Sequence, residues 1–373
     1  MRAACAAGLA ATLAACQWLV PLDVEIVPPV AADDAGDAQA EADPPRPVDG
    51  GACGRLPAPP GAPTQQGAGA AYYFVLTAAE LVADGFDLDC VDSRCEGSAA
   101  PRMACVPRGA GPYCDGDRGV DNGMLVARDR SGLSIDLDKY SDRMRAGTSA
   151  LVLGVLGYDG TAEDSDVTFV MFPARADGAV NECPPDPSAL DGGALPAVLL
   201  NGCDTFQGDN THVALGTPLR TVHGYVTGGR LVVSEPHEEW IAYGTRYVEA
   251  QGEYLEASIR PANGATPMKL EATVGGRVTA SAFLRVLGEQ RMAPDPPLCL
   301  GTLWPDIRHR VCAELDMPRA GAPASEPCDA LSYALKIEAV AVRLSTNTYA
   351  PDPVVSRCSA DSGVPGSDDF TCD

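Results

Sequence analysis

A mainly β protein is what the sequence predicts: an antiparallel β-sandwich or jelly roll, with a few short helices in its C-terminal third, stabilised by disulfides. Three observations carry that expectation. Between residues 70 and 279 the chain divides into short apolar or alternating runs rich in Val, Leu, Tyr and Phe, punctuated by Gly and Pro. Helical periodicity is sparse across the same region. The chain also carries 14 cysteines, a content that fits cross-linking in an oxidising compartment.

The runs are residues 72–76, 150–156, 167–172, 212–215, 221–226, 231–234, 255–259 and 268–274. Thr227-Gly228-Gly229-Arg230 is a tight hairpin signal between two of them. In residues 279–290, Ala282, Phe283, Val286 and Leu287 fall at helical spacing behind Thr279, a fitting N-cap. A second helix is expected over 305–315. Residues 335–344 alternate like a late strand returning to the sheet, with a phase shift near Ala339 that suggests a bulge. One globular domain over 70–348, with a helical insertion around 279–330, is long enough to bury a sizeable core. Residues 349–373 form a tail pinned by Cys358 and Cys372.

The first fifteen residues read as an export signal: Met1-Arg2 supplies one positive charge and Ala3 to Leu13 is a short apolar run, too short to span a bilayer. The alternative is a cytosolic protein that begins with an Ala-rich helix. Leu13-Ala14-Ala15-Cys16 resembles the lipobox of bacterial lipoproteins. That resemblance implies cleavage before Cys16, acylation of its thiol, and, with Gln17 rather than Asp following, an outer-membrane address in the cell envelope. Residues 16–69 are rich in Pro, Ala, Gly and Asp. Positions 21–50 alone hold eight acids against one arginine, a local net charge of −7. Such a segment reads as a disordered tether, with a reach of roughly 40 Å.

With Cys5 lost in the signal and Cys16 acylated, twelve cysteines remain, the even number a disulfide framework needs. Local pairs such as Cys183 with Cys203 and Cys358 with Cys372 are the expectation. The rival, a zinc site from Cys90, Cys95, Cys105 and Cys114, has spacings that fit zinc ligation poorly.

Residues 84–122 concentrate the chemistry. In Phe86-Asp87-Leu88-Asp89-Cys90 alternation on a strand places the two aspartates on one face, and Asp92 follows. Asp115, Asp117, Asp121 and Asn122 form a second, glycine-bearing cluster. Hard cations such as Ca²⁺ take six to eight oxygen ligands, so these seven residues are the candidate metal set. No EF-hand is present: a loop begun at Asp115 meets Gly119 and Val126, and one begun at Asp87 meets Val91 and Ser98, where ligands belong. The competing reading makes the acids solvated turn residues, neutralised by Arg94, Arg102, Arg108 and Arg118.

Gly85 to Asp89 (GFDLD), Gly119 to Asn122 (GVDN) and a Gly275-Gly276-Arg277 turn before a helix together resemble cysteine-rich secreted lipoproteins of myxobacteria-like genomes, over residues 72–344. The resemblance implies a recurring acidic core motif and carries no chemistry with it. Catalytic signatures fail one by one: Gly147-Thr148-Ser149-Ala150-Leu151 lacks the last glycine of a nucleophile elbow, and His237-Glu238-Glu239-Trp240-Ile241 ends in Ile where a zinc protease needs His. A formal charge of −24 repels nucleic acid and anionic lipid. The expected function is a lipid-anchored binding or structural protein at the cell surface, its partner a protein or glycan, with calcium as a candidate structural ion. The alternative is a secreted metal-assisted or acid/base hydrolase such as a glycosidase. Trp240, Tyr243 and Tyr247 are the candidate glycan platform.

Overall fold

The apolar runs become strands, and most of the strands outgrow the runs. The computed structural model describes residues 56–60, 69–91, 103–109, 120–131, 138–178, 198–243, 246–263, 267–290, 296–319, 322–351, 356, 358 and 369–372, all within the unit Val48–Asp373. In chain order these are β1 (Ala70–Leu81), α1 (Gly123–Ser131), α2 (Asp138–Arg145), β2 (Ala150–Tyr158), β3 (Asp164–Ala176), β4 (Thr205–Asp209), β5 (Val213–Ala214), β6 (Thr217–Pro218), β7 (Val222–Thr227), β8 (Arg230–Tyr243), β9 (Arg246–Arg260), β10 (Lys269–Thr279), α3 (Ala280–Gly288), α4 (Trp304–Ala313) and β11 (Ala330–Tyr349). Among the described residues no helix is long and apolar enough to cross a membrane.

The sheet closes on itself, which corrects the expected sandwich or jelly roll. β1, β2, β3, β7, β8, β9, β10 and β11 each pair with two others of this set, and the β1–β11 and β3–β7 ladders complete an eight-strand antiparallel barrel. A sandwich would leave the outer strands as open edges, whereas here they find each other, with Tyr73 opposite Val342 and Leu81 opposite Leu335. β4 bridges the C-terminal ends of β3 and β11, antiparallel to the first and parallel to the second, and so makes a second circuit through β1, β2, β3 and β11. Of the strands shared by the two circuits, β2 and β3 are covered on both faces over part of their length. Residues 150–155 and 169–174 are accordingly buried without a break, which is why they read as continuous apolar runs.

Local chemistry accounts for the details. Gly228 and Gly229 both take the left-handed conformation (φ +55° and +76°), as a two-residue hairpin between right-twisted strands requires. The phase shift near Ala339 has its cause across the ladder: β11 stays in register with β10 from Val340 to Ala330, and the irregularity lies on β1 between Leu76 and Ala78. The residue there, Thr77, donates its hydroxyl to the Glu338 carbonyl at 3.0 Å.

Thr279 caps α3, accepting from the Ala282 N–H at 3.3 Å, and α4 begins with proline in its first turn. Helices α1 and α2 lie outside the C-terminal third, where the sequence reading placed none. Asn122 caps α1 through its Oδ1 on the Leu125 N–H at 3.1 Å. α2 is pinned by Tyr140, whose hydroxyl donates to the Leu76 carbonyl at 2.8 Å and accepts from the Leu151 N–H at 3.1 Å.

Three disulfides join distant segments: Cys105 with Cys328, Cys299 with Cys358, and Cys312 with Cys372. The expected Cys358–Cys372 pair is therefore wrong, because each of those thiols instead meets a cysteine on the segment that carries α4. Cys90 and Cys203 are also disulfide-bonded, and Cys183, the expected partner of Cys203, lies outside the described residues. With Cys90 and Cys105 both oxidised, the zinc rival is gone. Phe370 packs edge-on against Trp304 at 6.0 Å and Arg308 pairs with Asp369, which docks the tail between its two staples.

Gly275 and Gly276 sit inside β10 and form no turn. A Cβ on Gly275 would stand 2.5 Å from the Phe86 ring, and one on Gly276 would stand 2.9 Å from both Glu253 Cγ and Tyr333 Oη. Gly275→Ala is expected to cost about 2 kcal/mol of unfolding free energy by overpacking against that ring. Urea titration checks it, and pairing it with Phe86→Leu should recover most of the loss.

Candidate functional site

The loop after β1 builds the acidic site. Phe86 and Leu88 are buried and Asp87 and Asp89 half-buried, so the alternation holds, yet no strand forms. Two side chains divert the backbone instead: Asp87 Oδ1 accepts from the Cys90 N–H and Asp89 Oδ1 from the Val91 N–H, both at 2.8 Å. Cys90 turns into the left-handed region at φ +63°, ending any extended run.

Asp121 arrives from the segment before α1. Its N–H donates to the Phe86 carbonyl at 3.0 Å, and its Oδ2 accepts from the Leu88 N–H at 2.5 Å. That clip brings one carboxylate oxygen from each of Asp87, Asp89 and Asp121 within 4.8 Å of one another. Arg277 crosses from β10 to the same loop, donating to the Leu88 carbonyl at 3.2 Å and the Pro318 carbonyl at 3.1 Å. Three carboxylate oxygens at that spacing are the kind of ligand a hard divalent cation takes. A carboxylate offers four lone-pair sites, so accepting one backbone N–H does not close it to an ion.

Of the other proposed ligands, Asn122 is diverted: its amide oxygen caps α1 and its amide nitrogen donates to the Val82 carbonyl. Asp92, Asp115 and Asp117 lie outside the described residues, as do Arg94, Arg102 and Arg118. Arg108 reaches away to the Cys328 and Cys372 carbonyls, each at 2.8 Å. His237-Glu238-Glu239 and Trp240 run along β8. Tyr243 ends β8 and Tyr247 lies opposite Ala242 on β9. The side chains of this segment and of Tyr247 lie outside the described residues.

Comparison with protein-family models, curated proteins and solved structures finds no match to the chain. Its chemistry is therefore read from its own side chains.

Three further acids were missed from sequence. Glu253 is 1% exposed, and the Tyr333 hydroxyl donates to its Oε1 across the site that Gly276 keeps clear. Burial pushes its carboxyl up to about 7, an effect the Tyr333 hydrogen bond only partly offsets. The signal was present in the alternation, which puts an acid in phase with Leu255 and Ala257.

Asp316 accepts from the Ser332 N–H at 2.9 Å and from the Ser332 hydroxyl, which in turn accepts from the Gly123 N–H at 2.6 Å. Burial raises it to about 6 against those bonds. A Cβ on Gly123 would strike its carboxyl group at 2.4 Å, so only glycine lets the start of α1 approach. Asp209 is different. Burial pushes it up, but bonds from the His212 ring at 2.7 Å and the Thr211 hydroxyl at 2.6 Å outweigh that and hold it below the usual range.

These shifts set opposite pH dependences. Glu253 and Asp316 favour the folded state when protonated, so their contribution is full below about pH 4 and is lost as pH rises through about 6 and 7. Asp209 contributes when ionised and loses its contribution on acidification. Glu253→Gln should flatten the decline in stability approaching pH 7 and raise the melting temperature at pH 8. Thermal melts at pH 5 and pH 8 check this, and a decline of unchanged steepness would reassign it to another group.

Proposed function

We propose that this chain is an extracytoplasmic lipoprotein of the cell envelope, anchored through Cys16 at the outer membrane, in which a disulfide-stapled β-barrel serves a binding or structural role. The observation that carries the reading is the covalent framework. Cys105 and Cys328 are joined across 223 residues of sequence, a link that persists in an oxidising compartment and would be reduced in a cytosol. The lipobox and the acidic tether add an address and a spacer. Two or more acyl chains on Cys16 hold a protein stably where one is marginal.

Calcium is the proposed structural ion, held by Asp87, Asp89 and Asp121 between the loop after β1 and the start of α1. It would be shared by the three carboxylates, whose oxygens stand within 4.8 Å of one another. The hydrolase alternative draws no support from Glu253, which is enclosed with Tyr333 inside the barrel and out of reach of a bulky substrate.

Two measurements test the reading. Mass spectrometry of the chain made in a lipoprotein-processing host should find a mature protein beginning at acylated Cys16 with no free thiols; an intact Met1 or free sulfhydryls would remove both address and compartment. Calorimetric titration should give a Ca²⁺ affinity of about 10⁻⁴ to 10⁻³ M, typical of extracellular sites, that Asp87→Asn and Asp89→Asn each weaken at least tenfold. Asp121 is unsuitable for that comparison because it also holds the Leu88 N–H. Absence of heat together with an unchanged melting temperature discards the ion and leaves the anchor standing.

A further inference from the structure

Leu56-Pro57-Ala58-Pro59-Pro60 falls within the segment that the sequence reads as a tether, yet this strap is seated on the barrel. Leu56 is half-buried against Phe86, Leu88, Tyr254 and Met317. One residue later the Tyr225 hydroxyl donates to the Pro57 carbonyl. Ala58 and Pro59 are exposed and Pro60 is half-buried, so the strap lies on the surface and does not thread the core.

Its seat is an aromatic face of the sheet. Tyr225 on β7 stands opposite Val232 on β8, and Val232 opposite Glu256 on β9. Tyr254, two residues before Glu256, shares that face and stands opposite Gly275 on β10. The Phe86 ring occupies the place that a side chain on Gly275 would take, and it meets the Tyr254 ring at 6.2 Å between centroids. Three aromatic residues from separate stretches of the chain therefore line one face, which offers a hydroxyl donor from Tyr225 and an apolar seat for Leu56.

The strap suits that face through its covalent chemistry. Proline fixes φ at 57, 59 and 60 and biases the residue before each toward the extended or polyproline II region. A chain in that conformation makes no hydrogen bonds with itself, so its carbonyls stay available to donors, and it has little freedom left to lose on docking. Aromatic-lined grooves are the general receptors for such peptides. Among the described residues, the bond from Tyr225 and the packing of Leu56 are what fasten the strap.

We propose that this face is a binding site for an extended peptide of the Leu-Pro-x-Pro-Pro kind carried by a partner protein, and that residues 56–60 are its resident ligand, closing it until the partner's segment takes their place. The proposal rests on the binding role proposed above and names the chemistry of the ligand; it needs neither the anchor nor the ion. Leucine supplies the apolar anchor, the proline after it sets its carbonyl against the Tyr225 hydroxyl, and the later prolines keep the peptide extended. Belonging to the same chain gives the strap a millimolar-scale effective concentration. A partner therefore displaces it by holding its own segment comparably close through contacts elsewhere.

The test uses the full chain carrying Cys16→Ala, so that lipid plays no part, and a fluorescent peptide of residues 54–62 whose anisotropy is followed up to millimolar concentration. Leu56→Asp, which unseats the strap, should bind the peptide about tenfold more tightly than the parent, with the milder Leu56→Ala between them. Adding Tyr225→Phe to Leu56→Asp should weaken binding roughly fivefold, and a peptide that itself carries Leu56→Asp should not bind. No binding by any of the three chains makes the strap a fixed part of the fold, and equal affinity in all three places the peptide elsewhere; either overturns the proposal, as does equal binding of both peptides. Parent dimers that Leu56→Asp dissolves, seen by sedimentation, assign the face to a second copy of the chain and also overturn it. Each of these outcomes leaves the anchor at Cys16, which is tested by mass, untouched.

Discussion

The ladder between β1 and β11 is the constraint on which the molecule depends. It unites residues some 260 positions apart, as in the bond from Thr77 to the Glu338 carbonyl, and it turns an open sheet into a barrel. Once it forms, both faces of β2 and β3 acquire cover, α2 can fasten to β1 and β2 through Tyr140, and the segments bearing α4 and the tail are brought to the disulfides that hold them. Such a closure belongs late in folding, because the entropy of joining the two ends of the domain must be overcome before its contacts return anything.

Strand positions were legible because doubly covered strands declare themselves as unbroken apolar runs, and the helix behind Thr279 because cap and spacing agree. Closure was illegible for a physical reason: which edge meets which is a non-local matter that local pattern leaves open. A sandwich and a barrel ask the same of each strand. The loop after β1 shows a finer failure. Phe86-Asp87-Leu88-Asp89 alternates perfectly well, and the burial follows it, but short acidic side chains bonded to their own backbone outcompeted a ladder that no partner strand offered. The pair Gly275-Gly276 misled in the opposite way, since glycine also marks where a ring or a carboxyl must come close.

The site was half legible. Asp87, Asp89 and Asp121 do converge, because the exchange between Phe86, Leu88 and Asp121 draws two distant segments together. Asn122 could not join them, for a helix began immediately behind it and needed its amide as a cap. Glu253 and Asp316 escaped notice because neither stands in an acidic cluster. Their character comes from enclosure by Tyr333 and Gly276 in one case, and by Ser332 and Gly123 in the other. Enclosure of that kind is a property of the tertiary structure.

A cylinder has no first or last strand. An open sheet of this length would expose a row of backbone donors and acceptors on either side, a template on which identical chains could stack without limit. Around the closed ladder those rows are spent on each other, while among the described residues β8 beyond Val233 pairs with β9 alone and β5–β6 stands as a two-stranded ribbon. Main-chain stacking through the closed ladder itself would first require the cylinder to be prised apart where its most distant pieces, β1 and β11, meet.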